Sequence, residues 1–370
     1  MVYKNGIPPG RPGGRKRNRL TMNFSPAYLI LMLTDRCNLA CRYCYLGSQG
    51  ENTNRGTDMS CEMIDQALGA AAKESLPFHV QLTGGEPLLV PRLIEYAAQK
   101  TRQIRPDVSI GIQSNATLMN DRVVDLIKKY DLNLGISIDG DPCLQEAHRG
   151  RAGDTFKGLR LLEKEKVPFN VTTVVTAANA DKLHRLVLSL GGFSMARGIG
   201  LDPLVLKGNA KKTSVLSAEP DQVAFGIKKM ITALDMVNAG RHVPLVIREM
   251  EKLKEKIYKT ALAPFCHAAA GQSLAVTPEG KLFPCSQTAN DPDFALGTLD
   301  HPETGKQVLK LKAYRLNRTL QARCRECGLS PVCPGECPSR LHYNKNHTPG
   351  LACAIYQALA SQTDIGIKIA

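Results

Sequence analysis

The sequence predicts an α/β fold, an open partial (β/α)6 barrel of the TIM type, followed by a small cysteine-rich domain. Three observations predict it. Short β-rich runs alternate with helix-like segments six times after Tyr28, the strand runs are apolar enough for a parallel sheet, and seven of the twelve cysteines crowd into residues 264–353. The runs are Tyr28–Leu33, His79–Thr83, Val108–Gln113, Leu132–Ile138, Pro168–Thr176 and Ile199–Val205. Between them Ser60 caps a helix through Ala72, Pro91 opens one through Ile104, and Asn120 opens another through Tyr130. Asp154–Lys164 and Asp181–Leu190 continue the apolar 3- and 4-residue steps. Six strand-helix units are two short of a closed eight-fold barrel, and parallel folds place their chemistry at the carboxyl ends of strands.

Glu219–Ala239 and Ile247–Tyr258 read as helices that bridge the barrel to the cysteine-rich part. The expected organisation is a basic flexible tail over 1–22, the barrel over 23–212, a helical bridge over 213–263 and the cysteine-rich domain over 264–370. In that last part metal sites are expected to replace some of the core. The 370 residues suffice for a sizeable core, and the longest apolar run, Leu29–Leu33, is far below the ~20 residues of a membrane span. Residues 1–20 lack the apolar stretch of a secretory signal, so a cytoplasmic protein without a membrane partner is expected. In that compartment twelve cysteines point away from disulfides and towards metal or iron-sulfur ligation. The formal charge of +14 draws six positive charges from Lys4, Arg11, Arg15, Lys16, Arg17 and Arg19. A solubilising extension accounts for them without nucleic acid.

Cys37, Cys41 and Cys44 follow the first strand with C-x3-C-x2-C spacing. Tetrahedral zinc or a fully ligated cubane wants four ligands, and no fourth Cys or His follows before Cys61. Three thiolates on a cubane leave one iron open to a small molecule; the competing reading is a zinc knuckle.

This loop resembles the signature of the radical S-adenosylmethionine (radical SAM) enzymes, and the resemblance runs from Tyr28 to Cys353. It implies a 4Fe-4S cluster whose open iron is chelated by SAM, reductive cleavage to a 5'-deoxyadenosyl radical, and a low-potential electron donor of flavodoxin or ferredoxin type. Gly84-Gly85-Glu86-Pro87 after the second strand looks like the family's GGEP motif, with Glu86 an acceptor for a cationic amino group. Ser114-Asn115 after the third strand, and Ser137 and Asp139 after the fourth, resemble the segments that hold the ribose and methionine of SAM. Arg149 matches a family arginine placed to pair with the SAM carboxylate, and Tyr43 packs over the cofactor or cluster.

The later cysteines resemble the SPASM domain of radical SAM enzymes that modify peptides and proteins. All seven signature positions are present. The resemblance assigns Cys324, Cys327, Cys333 and Cys353 to a fully ligated distal cluster and Cys266, Cys285 and Cys337 to a proximal one; 4Fe-4S clusters are expected at both, with 2Fe-2S open for the proximal one. The proximal set is one ligand short, leaving His267, solvent or substrate to complete it. A pair of zinc sites is the competing reading of Cys324 and Cys327. Cys61 and Cys143 receive no role, and no catalytic side chain is assigned.

Within the SPASM group, Ile136–Gly140 resembles the anaerobic sulfatase-maturing enzymes, yet an Asp follows their second SPASM cysteine where Ser286 stands here. A maturase of a ribosomally made peptide or protein is therefore expected, with formylglycine formation as the alternative. The third reading is a non-catalytic iron-sulfur or zinc protein binding nucleic acid. No winged-helix module precedes the barrel, so the leader peptide is left to the barrel, the tail or a separate leader-binding protein.

Overall fold

A computed structural model of the chain describes residues 26–48, 50, 56–72, 78–259, 265–301, 324, 326–344 and 350–362. The basic tail expected over 1–22 lies outside them. The elements are β1 (Tyr28–Met32), α1 (Cys61–Ala71), β2 (His79–Thr83), α2 (Pro91–Ile104), β3 (Ser109–Ser114), α3 (Asp121–Tyr130), β4 (Leu132–Ser137), α4 (Pro142–His148), α5 (Ala152–Lys164) and β5 (Phe169–Val175). They continue as α6 (Leu183–Leu190), β6 (Ala196–Pro203), α7 (Pro220–Asn238), β7 (Val246–Ile247), α8 (Arg248–Lys259), β8 (Ser273–Val276), β9 (Leu282–Phe283), α9 (Pro338–Tyr343) and α10 (Leu351–Ser361). Local chemistry sets the helix starts. Ser60 accepts from the Met63 amide at 3.2 Å and Asn120 from Val123 at 3.1 Å, satisfying donors that a first turn leaves orphaned.

The sheet runs β7-β6-β5-β4-β3-β2-β1-β8-β9, with every neighbouring pair parallel except the antiparallel β8–β9. This is the expected partial barrel, extended at both edges. One face is apolar apart from the buried Thr173 of β5 and Ser114 at the end of β3. Leu29, Leu31, Val80, Leu82, Ile110, Ile112, Leu134, Ile136, Val171, Ile199 and Leu201 share one core with the helices.

The alternate positions are not continuously apolar, as the sequence reading of these strands holds, but polar or glycine. Gln81 pairs with Gly111, Gln113 with Gly135, and Asn170 with Gly198. A Cβ on each glycine would stand 2.8, 2.3 and 2.8 Å from the neighbour's side-chain oxygen. Each glycine makes room for the polar side chain lying across it, so this face is a polar wall rather than the packed layers of a closed barrel. The apolar exceptions are Ile30 and Met32 of β1, which pack on Ala275, Phe283 and Ala289, and Val174 of β5, which packs beside Tyr43.

β8 pairs in register with β1, Tyr28 opposite Ser273 through Leu31 opposite Val276. The chain beyond 264 therefore extends the barrel sheet. It is also less core-poor than expected. Leu351, Ile355 and Leu359 of α10 are buried in the same core as Val223, Ile227 and Met230 of α7. Among the described residues no helix is long and apolar enough to cross a membrane.

Candidate functional site

The loop after β1 carries Cys37, Cys41 and Cys44, all partly buried. Its course is set by the end of β2. The Gly85 amide donates to Thr34 O at 2.7 Å and the Glu86 amide to Arg36 O at 2.8 Å. A Cβ on Gly84 (φ +146°) would stand 2.2 Å from the Thr34 oxygen, and one on Gly85 2.0 Å from that of Arg36. The glycine pair thus lets the backbone approach the cysteine loop, a role the sequence alone credits to ligand approach. Asn38, inside the loop, donates to Thr117 at 2.7 Å and accepts from Asn115 at 3.0 Å.

Burial pushes the Cys37 thiol up to about 11 and Cys41 to about 12, and each feels the charge of Cys44. Thiols raised this way stay protonated unless a cation binds them, so Cys37 and Cys41 suit a cluster's iron better than a free nucleophile, with Cys44 in the same loop. No three His, Cys, Asp or Glu side chains close on a single ion-sized position among the described residues.

Glu86 is buried at the end of β2. Its Oε1 accepts from Ser114 Oγ at 2.8 Å and the Leu88 amide at 3.0 Å, and its Oε2 from the Asn115 amide at 2.8 Å. Burial raises its pKa to about 7 against these three donors. Both oxygens are engaged within the protein, tying β2 to β3, and Pro87 starts a single buried 3-10 turn. Ser114 and Asn115 are likewise buried, and Ser137 accepts from Gln113 at 2.9 Å.

Asp139 gathers the other predicted contacts. Its Oδ2 accepts from Tyr43 OH and from Arg149 Nε at 2.9 Å; its Oδ1 accepts from Arg149 Nη2 at 3.1 Å and the Val174 amide at 3.1 Å. Burial alone would raise this carboxyl, but Arg149's charge, with the neighbouring hydrogen bonds, holds it well below the usual range. Arg149 lies 5.2 Å over the Tyr43 ring. His148, absent from the sequence reading, puts Nδ1 3.6 Å from Asp139 Oδ2, beyond hydrogen-bond reach. The structure pairs Arg149 with Asp139, leaving the guanidinium as a fixed positive charge near Cys41.

Cys266, Cys285 and Cys337 come from separate segments. Cys266 precedes β8, Cys285 follows β9, and Cys337 caps α9. Beyond burial, Cys285 feels Cys266 and Cys337 feels both, raising Cys285 to about 11 and Cys337 well above its ordinary value. Tyr45, next to Cys44, hydrogen-bonds Ser286, the residue after Cys285. Burial raises its phenol most, and Cys285 and Cys44 both add to that. His267 is exposed, with its ring stacked on Tyr28 at 5.0 Å.

Cys327 and Cys333 pack against the main core, Cys333 Sγ accepts from the Gly335 amide at 3.4 Å, and Cys353 lies in the first turn of α10. Cys324 is described without its immediate neighbours. Cys61 and Cys143 are exposed.

Residues missed from sequence include Asp202 and Arg248. Arg248 Nη2 lies 2.8 Å from Asp202 and 2.6 Å from Glu249, over Gly200, whose Cβ would meet Arg248 Nη1 at 2.5 Å. Gly198, Gly200 and Asp202 are alternate positions of β6, so a period-2 count along that strand would have found the carboxylate.

The family model of the Radical SAM superfamily matches residues 31–189. An uncharacterized protein of Methanocaldococcus jannaschii is 31% identical over 267 residues, covering 70% of this chain and 84% of that one. The serine-type anaerobic sulfatase-maturating enzyme of Klebsiella aerogenes is 28% identical over 330 residues, covering 84% of this chain and 79% of the enzyme. The solved structure of anSMEcpe with bound AdoMet and Kp18Cys peptide has the same fold. Its TM-score is 0.71 at 19% identity, over 90% of this chain and 95% of that chain.

Proposed function

The chain belongs to the radical SAM superfamily, and from that premise we propose that it is a SPASM maturase acting on a ribosomally made peptide or protein. The observation that carries the proposal is that Cys337 lies close enough to feel both Cys266 and Cys285, while Tyr45, the residue that follows Cys44 of the first trio, feels Cys285. A second electron-accepting centre next to a SAM site suits oxidation of a substrate carbon. When bound, SAM and its 4Fe-4S cluster supply a hydrogen-abstracting 5'-deoxyadenosyl radical.

In this reading Cys37, Cys41 and Cys44 hold the SAM cluster. The Asp139–Arg149–Tyr43 group stiffens the flank of Cys41 and Glu86 stiffens the ends of β2 and β3, so that the cofactor meets preformed walls. Gly84 to Pro87, Ser114, Asn115, Ser137 and Asp139 form those walls. Cys266, Cys285 and Cys337 hold a proximal cluster, and Cys324, Cys327, Cys333 and Cys353 a distal one. The organisation is tail 1–22, barrel 23–212, bridge 213–263 and cluster domain 264–370. Its partners are the peptide, a low-potential electron donor and a separate leader-binding protein.

Sulfatase maturation is the second reading, favoured by identity to the Klebsiella aerogenes enzyme across most of its length. Ser286, in place of a carboxylate after Cys285, weighs against it. The test is anaerobic incubation of reconstituted, reduced protein with SAM and two peptides, one encoded beside its gene and one bearing a sulfatase serine motif. Loss of two hydrogens from the first peptide, without an aldehyde that captures a hydrazide, supports the proposal. A hydrazide-reactive product from the second peptide alone supports the alternative, and neither product overturns both.

A further inference from the structure

The residues leaving β6 bond to the first cysteine trio and to residues beside the second. Asn209, 6% exposed, donates its amide to Cys44 O at 2.9 Å and its Nδ2 to Cys41 O at 3.0 Å and Ser48 O at 2.8 Å. Gly208 (φ +60°) lies so close to that loop that a Cβ would stand 2.3 Å from Cys44 O and 2.7 Å from Tyr45 O. Two residues earlier the same segment turns to the other trio. Lys207 Nζ donates to Gln287 O at 2.9 Å and Ala289 O at 2.5 Å, and the Gln287 side chain accepts from Cys337 Sγ at 3.6 Å. Asn344, 3% exposed at the end of α9, accepts from the Leu206 amide at 2.9 Å and donates to Leu204 O at 3.0 Å. The helix it ends is the one that Cys337 begins.

We propose that residues 204–210 are a strap that fixes the spacing of the two cysteine trios, with Lys207 and Asn209 as its positioning residues. This rests on the reading that both trios hold clusters. A local packing role would need bonds to one side only. Here a short segment ending in a 3-10 turn grips the first loop by three hydrogen bonds and the second region by four, across sequence separations of 80 to 168 residues. The Lys207 ammonium gives up hydration and side-chain freedom for two carbonyls, with the Tyr343 ring 5.5 Å away and the Asp291 charge nearby, all of them on the side of the second region. Electron transfer between two centres falls exponentially with their separation, so a slack strap would uncouple them.

The experiment is a double-mutant cycle of Lys207→Met and Asn209→Ala in the full chain, reconstituted with iron anaerobically. It reads the microwave power that half-saturates the electron paramagnetic resonance of the reduced clusters, a measure of their mutual relaxation, and the product formed per 5'-deoxyadenosine. A strap fails when cut at either end. Each variant should then lower the product ratio by about tenfold and shift the half-saturation power the same way, the double variant should be no worse than the worse single, and Lys207→Arg should restore both. Additive effects, or each variant altering only its own cluster's signal, would overturn the strap while leaving the functional proposal standing. Wild-type iron at one trio alone would overturn the functional proposal and the strap together.

An iron-independent arm uses amide hydrogen exchange in the folded chain. Asn344→Ala, which cuts only the α9 end, should speed exchange at the distant Asn209 amide by about tenfold. Exchange there at the wild-type rate would also overturn the strap.

Discussion

Asp139→Asn tests how much of the site is structural before any ligand binds. The Asp139 side chain is fully buried and that of Arg149 is 9% exposed, so solvent screens their pairing little. Four donors converge on two oxygens, Tyr43 OH and Arg149 Nε on Oδ2, Arg149 Nη2 and the Val174 amide on Oδ1. Asparagine keeps the shape but replaces one oxygen by an NH2, so in either orientation two of the four donors face another donor. Each stranded bond involving a charged group costs about 1.5–3 kcal/mol, giving about 3–6 kcal/mol in all. That agrees with the ~3–5 kcal/mol expected for breaking a buried ion pair from one side. The assay is urea denaturation followed by circular dichroism at neutral pH, with Arg149→Met alone and the double variant completing a cycle. Because the double variant strands no charge, its cost should fall short of the sum of the singles by about 2 kcal/mol. A loss under about 1 kcal/mol for Asp139→Asn, or strict additivity, would refute the reasoning. The pH dependence supplies a second check. Arg149 holds the folded carboxyl below its unfolded range despite burial, so its stabilisation is present above about pH 4 and fades as pH falls further. The gap between wild type and Asp139→Asn should therefore narrow on acidification.

Three further outcomes follow from the same geometry. Gly85→Ala should destabilise the chain by about 1–3 kcal/mol and lower its iron content, because the new Cβ meets Arg36 O at 2.0 Å, whereas Gly69→Ala, with nothing within 4 Å on the exposed face of α1, should stabilise by about 0.5–1 kcal/mol; thermal midpoints and iron assays decide. Glu86 titrates at about 7 when folded, above its usual 4.5, so the native state keeps a proton that the unfolded chain releases, and wild-type stability should fall as pH rises through that window. Glu86→Gln should flatten that slope in denaturation midpoints, and an unaltered slope would remove Glu86 as its source. Replacing Cys37, Cys41 and Cys44 together by Ala should abolish 5'-deoxyadenosine formation from SAM under strong reductant, and residual formation by the purified variant would sink the cluster assignment.

The sequence by itself determined the local features. Serine and asparagine caps act within three residues, strand and helix periods are properties of short windows, and the spacing of Cys37, Cys41 and Cys44 lies inside one loop. These needed no knowledge of what stands across the sheet. Only the tertiary structure decided the pairings that give the site its character. That Arg149 spends its charge on Asp139, that both oxygens of Glu86 are taken by Ser114, Asn115 and Leu88, and that Asn209 holds the carbonyls of Cys41 and Cys44 depend on which strand ends become neighbours. The same is true of β8, whose pairing with β1 joins the cysteine-rich end to the barrel sheet. A sequence shows that a residue can give or accept a proton or hold a charge. Its partner is set by a contact that folding forms, whether 10 residues away as for Arg149 and Asp139 or 168 as for Asn209 and Cys41, and burial then decides whether any of that capacity is left for a ligand.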